Sequence, residues 1–396
     1  MRNSAKENND TVQRMPAIGA ISEAYADRCY MSDHMKEAIV NTSMQISLTE
    51  PLFCQENGPA AGSAVTRSRM DPLVTLALTT LNRPDRLRET LPFALAQDYP
   101  NLEILVSDNG SRDETPALVQ ALIHNDPRAR FRRNDTTVPI HRHFTQCVEA
   151  AQGEFFILLH DDDRINSSFV SELVAVAIRH PEVNVVLPAN ATIDGHDTVV
   201  EEFAKPEGEV FDGAEIVCNW LFGRGPQLFG SVVTVLARTD VLRRFGGYQG
   251  FAGGRNIDNL LFLQCAVTGR VGFASGAVFN WRIHDSYGSN VTPKQIADSS
   301  CQFLRHLRHD PHTVKALASL TTRQRKEIID GVRYMTAVEL VFHIKFLHKS
   351  VWLEVLSNRI PIYRWDRMFC FVVLRHYYRN LRGLFHSLTA RILTPN

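Results

Sequence analysis

Cysteine is scarce and unpaired here, seven residues scattered through 396 with no short paired spacing. That pattern fits reduced thiols in a cytosolic protein better than a disulfide framework or a zinc site. An excess of either charge is missing too, since Lys plus Arg and Asp plus Glu both number 43. A nucleic-acid partner held by gross charge is therefore not expected, and any basic surface is local. No stretch reaches the roughly 20 apolar residues that span a bilayer, and the first residues lack the apolar centre of a secretion signal. The expected location is the cytoplasm. Over residues 1–70, aromatic and β-branched positions in register are sparse among Asn, Ser, Glu, Ala and Gly. Such a segment cannot bury enough surface to offset its ordering entropy, so it is expected to be disordered.

What is present begins with Leu73–Leu78, a strand pattern that runs into the turn Thr79–Pro84. An amphipathic helix follows over Asp85–Ala96, with Leu87, Leu91 and Leu95 on one face and Pro92 as a kink. Leu102–Val106 reads as a second strand, Thr115–Ile123 as a helix with Pro116 in its first turn, Arg130–Arg132 as an edge strand and Phe144–Ala151 as a helix. His141, Arg142 and His143 before it read as a solvated basic turn. Phe155–Leu159 then has no polar alternation, which marks a strand buried on both faces. Repeated strand–helix alternation predicts a parallel, doubly wound sheet with its loops gathered on one edge.

That buried strand ends in His160-Asp161-Asp162-Asp163. Adjacent carboxylates repel one another and raise each other's pKa unless something compensates, and a hard divalent cation is the natural partner. The carboxyl ends of parallel strands are also where open α/β sheets bind ligands. Further along, Val183–Leu187, Ser231–Ala237, Val271–Phe273 and Ala277–Trp281 read as strands, and Ile193–Gly213 as a turn-rich hairpin. Val241–Phe245 and Ile257–Val267 read as helices, and Gly250–Asn256 as a flexible loop. From Ser300 the pattern is helical. From Val341 it becomes aromatic and basic, with only Glu354 and Asp366 opposing many Lys and Arg. That composition suits an anionic membrane surface; it suits equally a helical subdomain packed on the core or on a second subunit, as in a homodimer.

Five motifs in this order resemble glycosyltransferase family 2, the inverting enzymes of the GT-A fold. They are Thr79-Thr80-Leu81-Asn82-Arg83, Ser107-Asp108-Asn109-Gly110-Ser111-Arg112-Asp113, Gly153-Glu154 with the acidic cluster, Asp258 at a helix start, and Trp281-Arg282-Ile283-His284. The resemblance covers roughly residues 72–290 and implies an α/β GT-A domain over 71–299, between a disordered 1–70 and a helical extension over 300–396. It implies transfer of a sugar from a nucleoside-diphosphate sugar, with UDP the usual nucleotide, to a hydroxyl of a glycan or lipid-linked acceptor. By the same resemblance, Asp258 is the catalytic base, and Thr79, Asn82, Arg83, Asp108, Asp161 and Arg282 bind the donor. Asp162 with Asp163 and His284 would hold Mn²⁺ or Mg²⁺. The sequence departs from the family at Leu81, where an aromatic residue is frequent. His160 stands where members carry an acid, Ser167 where they carry proline, and Ile257 where they carry Glu. Two rivals are a binding protein that has lost turnover and a nucleotidyltransferase, although the Thr79–Pro84 turn lacks the glycine expected of the latter.

Overall fold

The computed structural model describes residues 71–224, 232–282 and 292–346, all within one structural unit of residues 64–396. The expected disorder of 1–70, the expected strand start at Ser231, His284 and the tail beyond Phe346 lie outside the described residues. In chain order the first half contains β1 (Val74–Thr80), α1 (Pro84–Leu95), β2 (Leu102–Asp108), α2 (Thr115–Ile123), β3 (Ala129–Arg133), α3 (Ile140–Ala150) and β4 (Phe155–His160). These strands are parallel, with β1 between β2 and β4 and β3 outside β2.

The second half holds β5 (Arg164–Ile165), α4 (Phe169–Arg179), β6 (Val183–Ile193), β7 (Val199–Glu202), β8 (Val210–Asp212), α5 (Gly213–Phe222), β9 (Leu236–Arg238) and α6 (Thr239–Arg244). After these come α7 (Ile257–Val267), β10 (Arg270–Arg282), α8 (Pro293–His309), α9 (Pro311–Ala318) and α10 (Thr322–Phe346). One sheet runs β3-β2-β1-β4-β9-β6-β10-β5, with β7 added to β6 and β8 to β10. The short β9 is antiparallel to both β4 and β6 and joins the two parallel parts. The result is a mostly parallel, helix-flanked sheet with further helices after it.

The unbroken apolar character of β4 has the anticipated cause. Phe156 and Leu158 enter a core shared with α3, α5, α7 and α8, whereas Phe155, Ile157 and Leu159 enter one shared with α1, α2 and α4. Successive side chains of a strand point to opposite faces, so a strand covered by helices on both sides has no polar position to spare. Fully burying each such side chain contributes roughly 1.5–3 kcal/mol.

Three expectations are corrected. The helix expected from Phe144 starts at Ile140, so His141–His143 are helical, and His143 is buried rather than solvated. The two strands expected over 271–281 are one, β10, with a register irregularity between Ala274 and Val278. The strand expected over 231–237 is short and shifted, forming β9 at Leu236–Arg238. Near the start of the expected helical extension, α8 runs without a break from Pro293 to His309.

Candidate active site

Parallel registry brings three strand ends level. Thr80 of β1 lies beside Asp108 of β2, and Thr79 lies beside both Ser107 and His160 of β4. Beyond them the chain turns through Asp161, Asp162 and Asp163. Thr80 Oγ1 donates to Asp161 Oδ2 at 2.7 Å, and Thr90 Oγ1 donates to the Asp161 carbonyl at 2.8 Å. Arg83 reaches over the turn, its Nη1 3.1 Å from Asp161 and 2.8 Å from Asp162. Burial pushes the Asp161 carboxyl above the usual range, outweighing the Thr80 bond and the Arg83 charge. Burial pushes Asp163 up further, reinforced by the neighbouring Asp162 charge and opposed by the Arg282 backbone N–H, which donates to it at 3.2 Å.

The second loop is built on Asp108, which is wholly buried. Its carboxylate accepts from Ser111 N at 3.0 Å and Ser111 Oγ at 2.5 Å, and Arg133 Nε lies 3.1 Å away. Asn82 knits this loop to the first. Its N–H donates to Ser111 Oγ at 2.8 Å and its Oδ1 accepts from Arg112 N at 2.9 Å. It does so with φ at 51°, a left-handed conformation that Asn tolerates better than most residues.

Of the expected donor residues, Thr79, Asn82, Arg83, Asp108 and Asp161 therefore gather at one sheet edge. Arg282 is there as well, but facing inward with 1% of its side chain exposed. Its Nε donates to the Asp162 carbonyl at 2.9 Å, its Nη1 to the Asp194 carbonyl at 3.1 Å and its Nη2 to Asp197 Oδ1 at 2.6 Å. That guanidinium is engaged in holding the acidic turn against the β6–β7 hairpin.

The residues present suit a divalent cation. His160, Asp162 and Asp163 each offer a ligand atom, all within 4.8 Å of one another, and two carboxylates provide the hard oxygen donors that Mg²⁺ or Mn²⁺ prefers. The buried Nε2 of His160 has no hydrogen-bond partner, while its ring stacks on Phe144 with centroids 5.3 Å apart. Sequence reasoning missed His160 as a candidate ligand, although its position directly before the acids was the available signal. Thr80 and Thr90 were missed as well; only the fold brings them to Asp161.

Asp258 occupies the first turn of α7. Burial raises its carboxyl above the ordinary range, against the pull of its own and the Asn259 backbone N–H and of the His160 and Arg255 charges. It also lines a mostly apolar recess with Phe156, Leu158, Tyr248 and Leu261. The result is a buried carboxylate of raised pKa within electrostatic range of the β4 turn, and a raised pKa makes the ionised group a stronger proton acceptor.

Against this geometry, the family profile described as Glycosyl transferase family 2 matches residues 75–209. A Campylobacter jejuni protein named GalNAc(5)-diNAcBac-PP-undecaprenol beta-1,3-glucosyltransferase is 32% identical over 108 residues, 27% of this chain and 35% of that one. Glycosyltransferase GlyG of Streptococcus pneumoniae is 24% identical over 149 residues, 35% of this chain and 49% of that one. The chain thus spans between a third and a half of the length of these relatives. Among solved structures, S. aureus TarS 1–349 in complex with UDP-GlcNAc aligns over 67% of this chain and 90% of that one, with a TM-score of 0.49 and 15% identity.

Proposed function

We propose, for a chain whose residues 75–209 carry a glycosyl transferase family 2 domain, that it is a metal-dependent inverting glycosyltransferase. It moves a sugar from a nucleoside-diphosphate sugar, with UDP as the nucleotide, to a hydroxyl of a glycan or lipid-linked acceptor in polysaccharide assembly. The observation that carries the reading is the pairing of the acidic turn at the end of β4 with the raised-pKa carboxylate of Asp258.

In the proposed reaction, Asp258 takes the proton from the acceptor hydroxyl as its oxygen attacks the anomeric carbon. The new C–O bond forms as the sugar–phosphate bond breaks on the opposite face, and the electron pair leaves with the nucleoside diphosphate. Asp162, Asp163 and His160 would hold Mn²⁺ or Mg²⁺, which when bound supplies Lewis-acid stabilisation of the leaving diphosphate. Expected as a ligand, His284 remains a proposal, since it lies outside the described residues. Arg83 has 46% of its side chain exposed and pairs with Asp161 and Asp162. On donor binding it turns to the diphosphate. Asp108, Asn82 and Thr79 form the wall that receives the nucleoside.

No described helix is long and apolar enough to cross a membrane. The basic, aromatic stretch from Val341 is proposed as a peripheral contact with anionic lipid, which would bring the enzyme to a lipid-linked acceptor.

Incubating the full chain with a panel of nucleotide sugars, with and without Mn²⁺, tests the reading. Release of nucleoside diphosphate that needs both Mn²⁺ and one sugar class supports transfer. Pyrophosphate release would assign nucleotidyl chemistry instead, and an absence of product from every donor would leave a binding protein.

A further inference from the structure

The Phe251–Asn256 segment, which leads into Asp258, looked in the sequence like a free glycine-rich loop, yet it is fastened along its length. Ala252 N donates to Gln302 Oε1 at 2.7 Å. Asn256 Nδ2 donates to Ser299 Oγ at 2.9 Å, and that hydroxyl in turn donates to the Arg255 carbonyl at 3.2 Å. Phe251 meets the rings of Phe303 and His306 with centroids 6.1 Å and 5.3 Å away. Gly253, at φ 66°, lies so close to Gln295 that an added Cβ would sit 3.2 Å from the Gln295 Cβ. Arg255 pairs with Glu339 of α10.

The residues that α8 supplies are 295, 299, 302, 303 and 306, which recur at intervals of three or four, with 302 and 303 adjacent, along one helical stripe. These contacts reach the segment before Asp258, and several are polar. Ser299 is completely buried, so its hydroxyl has no water to turn to, and breaking the contact would leave an unsatisfied group.

What this stripe holds is a left-handed turn. Asn256 is the N-cap of α7 and sits at φ 59°, ψ 9°, with no side-chain bond to the backbone N–H groups of the helix start. Asn tolerates that region better than most residues, and the contacts around it fix the turn. Asn259 Nδ2 donates to Asn256 Oδ1 at 2.8 Å, so the Asn256 amide is engaged on both sides, by Asn259 and by Ser299. The left-handed turn at Asn256 sets the direction in which α7 begins, and Asp258 lies two residues on.

We propose that the stripe of α8 centred on Ser299 and Gln302 is a positioning element for Asp258, so that the helices after the sheet belong to the catalytic apparatus and are not an appendage to it. The inference rests on the reading of Asp258 as the base. Ser299 and Gln302 are positioning residues that touch the loop, whereas Asp258 would touch the acceptor.

The test uses the full chain and the variants Ser299→Ala, Gln302→Ala and Gln302→Glu. The last keeps the acceptor oxygen that Ala252 N requires and therefore serves as the rescue. Amide hydrogen exchange over residues 251–259 is read beside steady-state kinetics. Each alanine variant is expected to speed exchange in that segment at least about tenfold, leaving the amides of β1, β2 and β4 unchanged. It is expected to lower kcat about tenfold or more with the donor KM within about twofold, since misplacing a catalytic group costs rate rather than donor binding. Gln302→Glu should restore both. Unaltered exchange in the alanine variants would overturn the proposal, as would a fall in kcat matched by a rise in donor KM and a general loss of protection. If the wild type releases no nucleoside diphosphate from any donor, the proposed function fails, and exchange alone decides whether α8 holds the segment.

Discussion

Arg282 Nη2 stands 2.6 Å from Asp197 Oδ1, a buried cation meeting a carboxylate at the tip of the β6–β7 hairpin. The two groups differ sharply in exposure, 1% for Arg282 and 34% for Asp197. Asp197 keeps Arg164 as a partner when Arg282 is lost, whereas buried Asp163 would lose the opposing Arg282 charge and the carbonyls of Asp162 and Asp194 would lose a donor. Arg282→Met is therefore expected to destabilise the domain by about 3 kcal/mol or more, and Asp197→Asn by about 1 kcal/mol or less. Urea unfolding of the two variants checks the order, and equal losses would refute this assignment of Arg282.

In the acidic turn, Asp162→Asn removes one charge from a mutually repelling group. The variant is expected to keep its melting temperature while losing Mn²⁺-dependent binding of UDP, measured by calorimetry. Undiminished Mn²⁺-dependent affinity would move the cation to other carboxylates of the turn.

His143 provides a pH test independent of catalysis. Burial pushes its imidazole down to about 4, with the Arg132 charge adding to the effect, against an ordinary value of 6.5. Between these values the unfolded chain binds a proton that the folded chain refuses. Stability therefore rises with pH across that window and is lost as pH falls toward 4, by up to about 3 kcal/mol for this group. Asp161, Asp163 and Asp258, whose carboxyls are raised, act with the opposite sign, so the comparison must be with His143→Gln. The variant should show a shallower rise in stability from pH 4 to 6.5; identical slopes would mean that His143 titrates normally.

The lipid contact is tested by truncation after Phe346, the end of α10. A cut at residue 340, where composition changes, would sever that helix next to Glu339. The shortened chain is expected to keep its melting temperature and to lose co-sedimentation with anionic vesicles at low salt, since each Lys or Arg near such a surface contributes about 1 kcal/mol. Equal binding by both chains would leave the tail as a packing or dimerisation element.

Much of the sheet was legible because it rests on local pattern. The unalternating Phe155–Leu159 run identified a strand covered on both faces, and Pro116 marked a helix start. Where the signal was not local, reading failed. The start of α3 was missed because Pro139 occupies its N-cap and no side chain there bonds to the helix, so the Ser, Thr or Asp that usually announces a helix is missing. The gap left between Phe273 and Ala277 lies within β10, and Gly276 in it is a point of close approach, where an added Cβ would lie 2.6 Å from the Glu172 carboxyl carbon. The site divides in the same way. Runs of acids and loop motifs named Asp108 and Asp161–Asp163, whereas the inward turn of Arg282 and the hold of Ser299 on Asn256 depend on contacts between residues far apart in sequence.

The most direct measurement of the central claim is single-turnover transfer by Asp258→Asn beside the wild type, at saturating donor, Mn²⁺ and acceptor. If Asp258 is the base, the variant binds UDP with Mn²⁺ as the wild type does, and its transfer rate falls by about 10²–10⁴-fold. A transfer rate within a few-fold of wild type, with donor binding intact, would contradict the account.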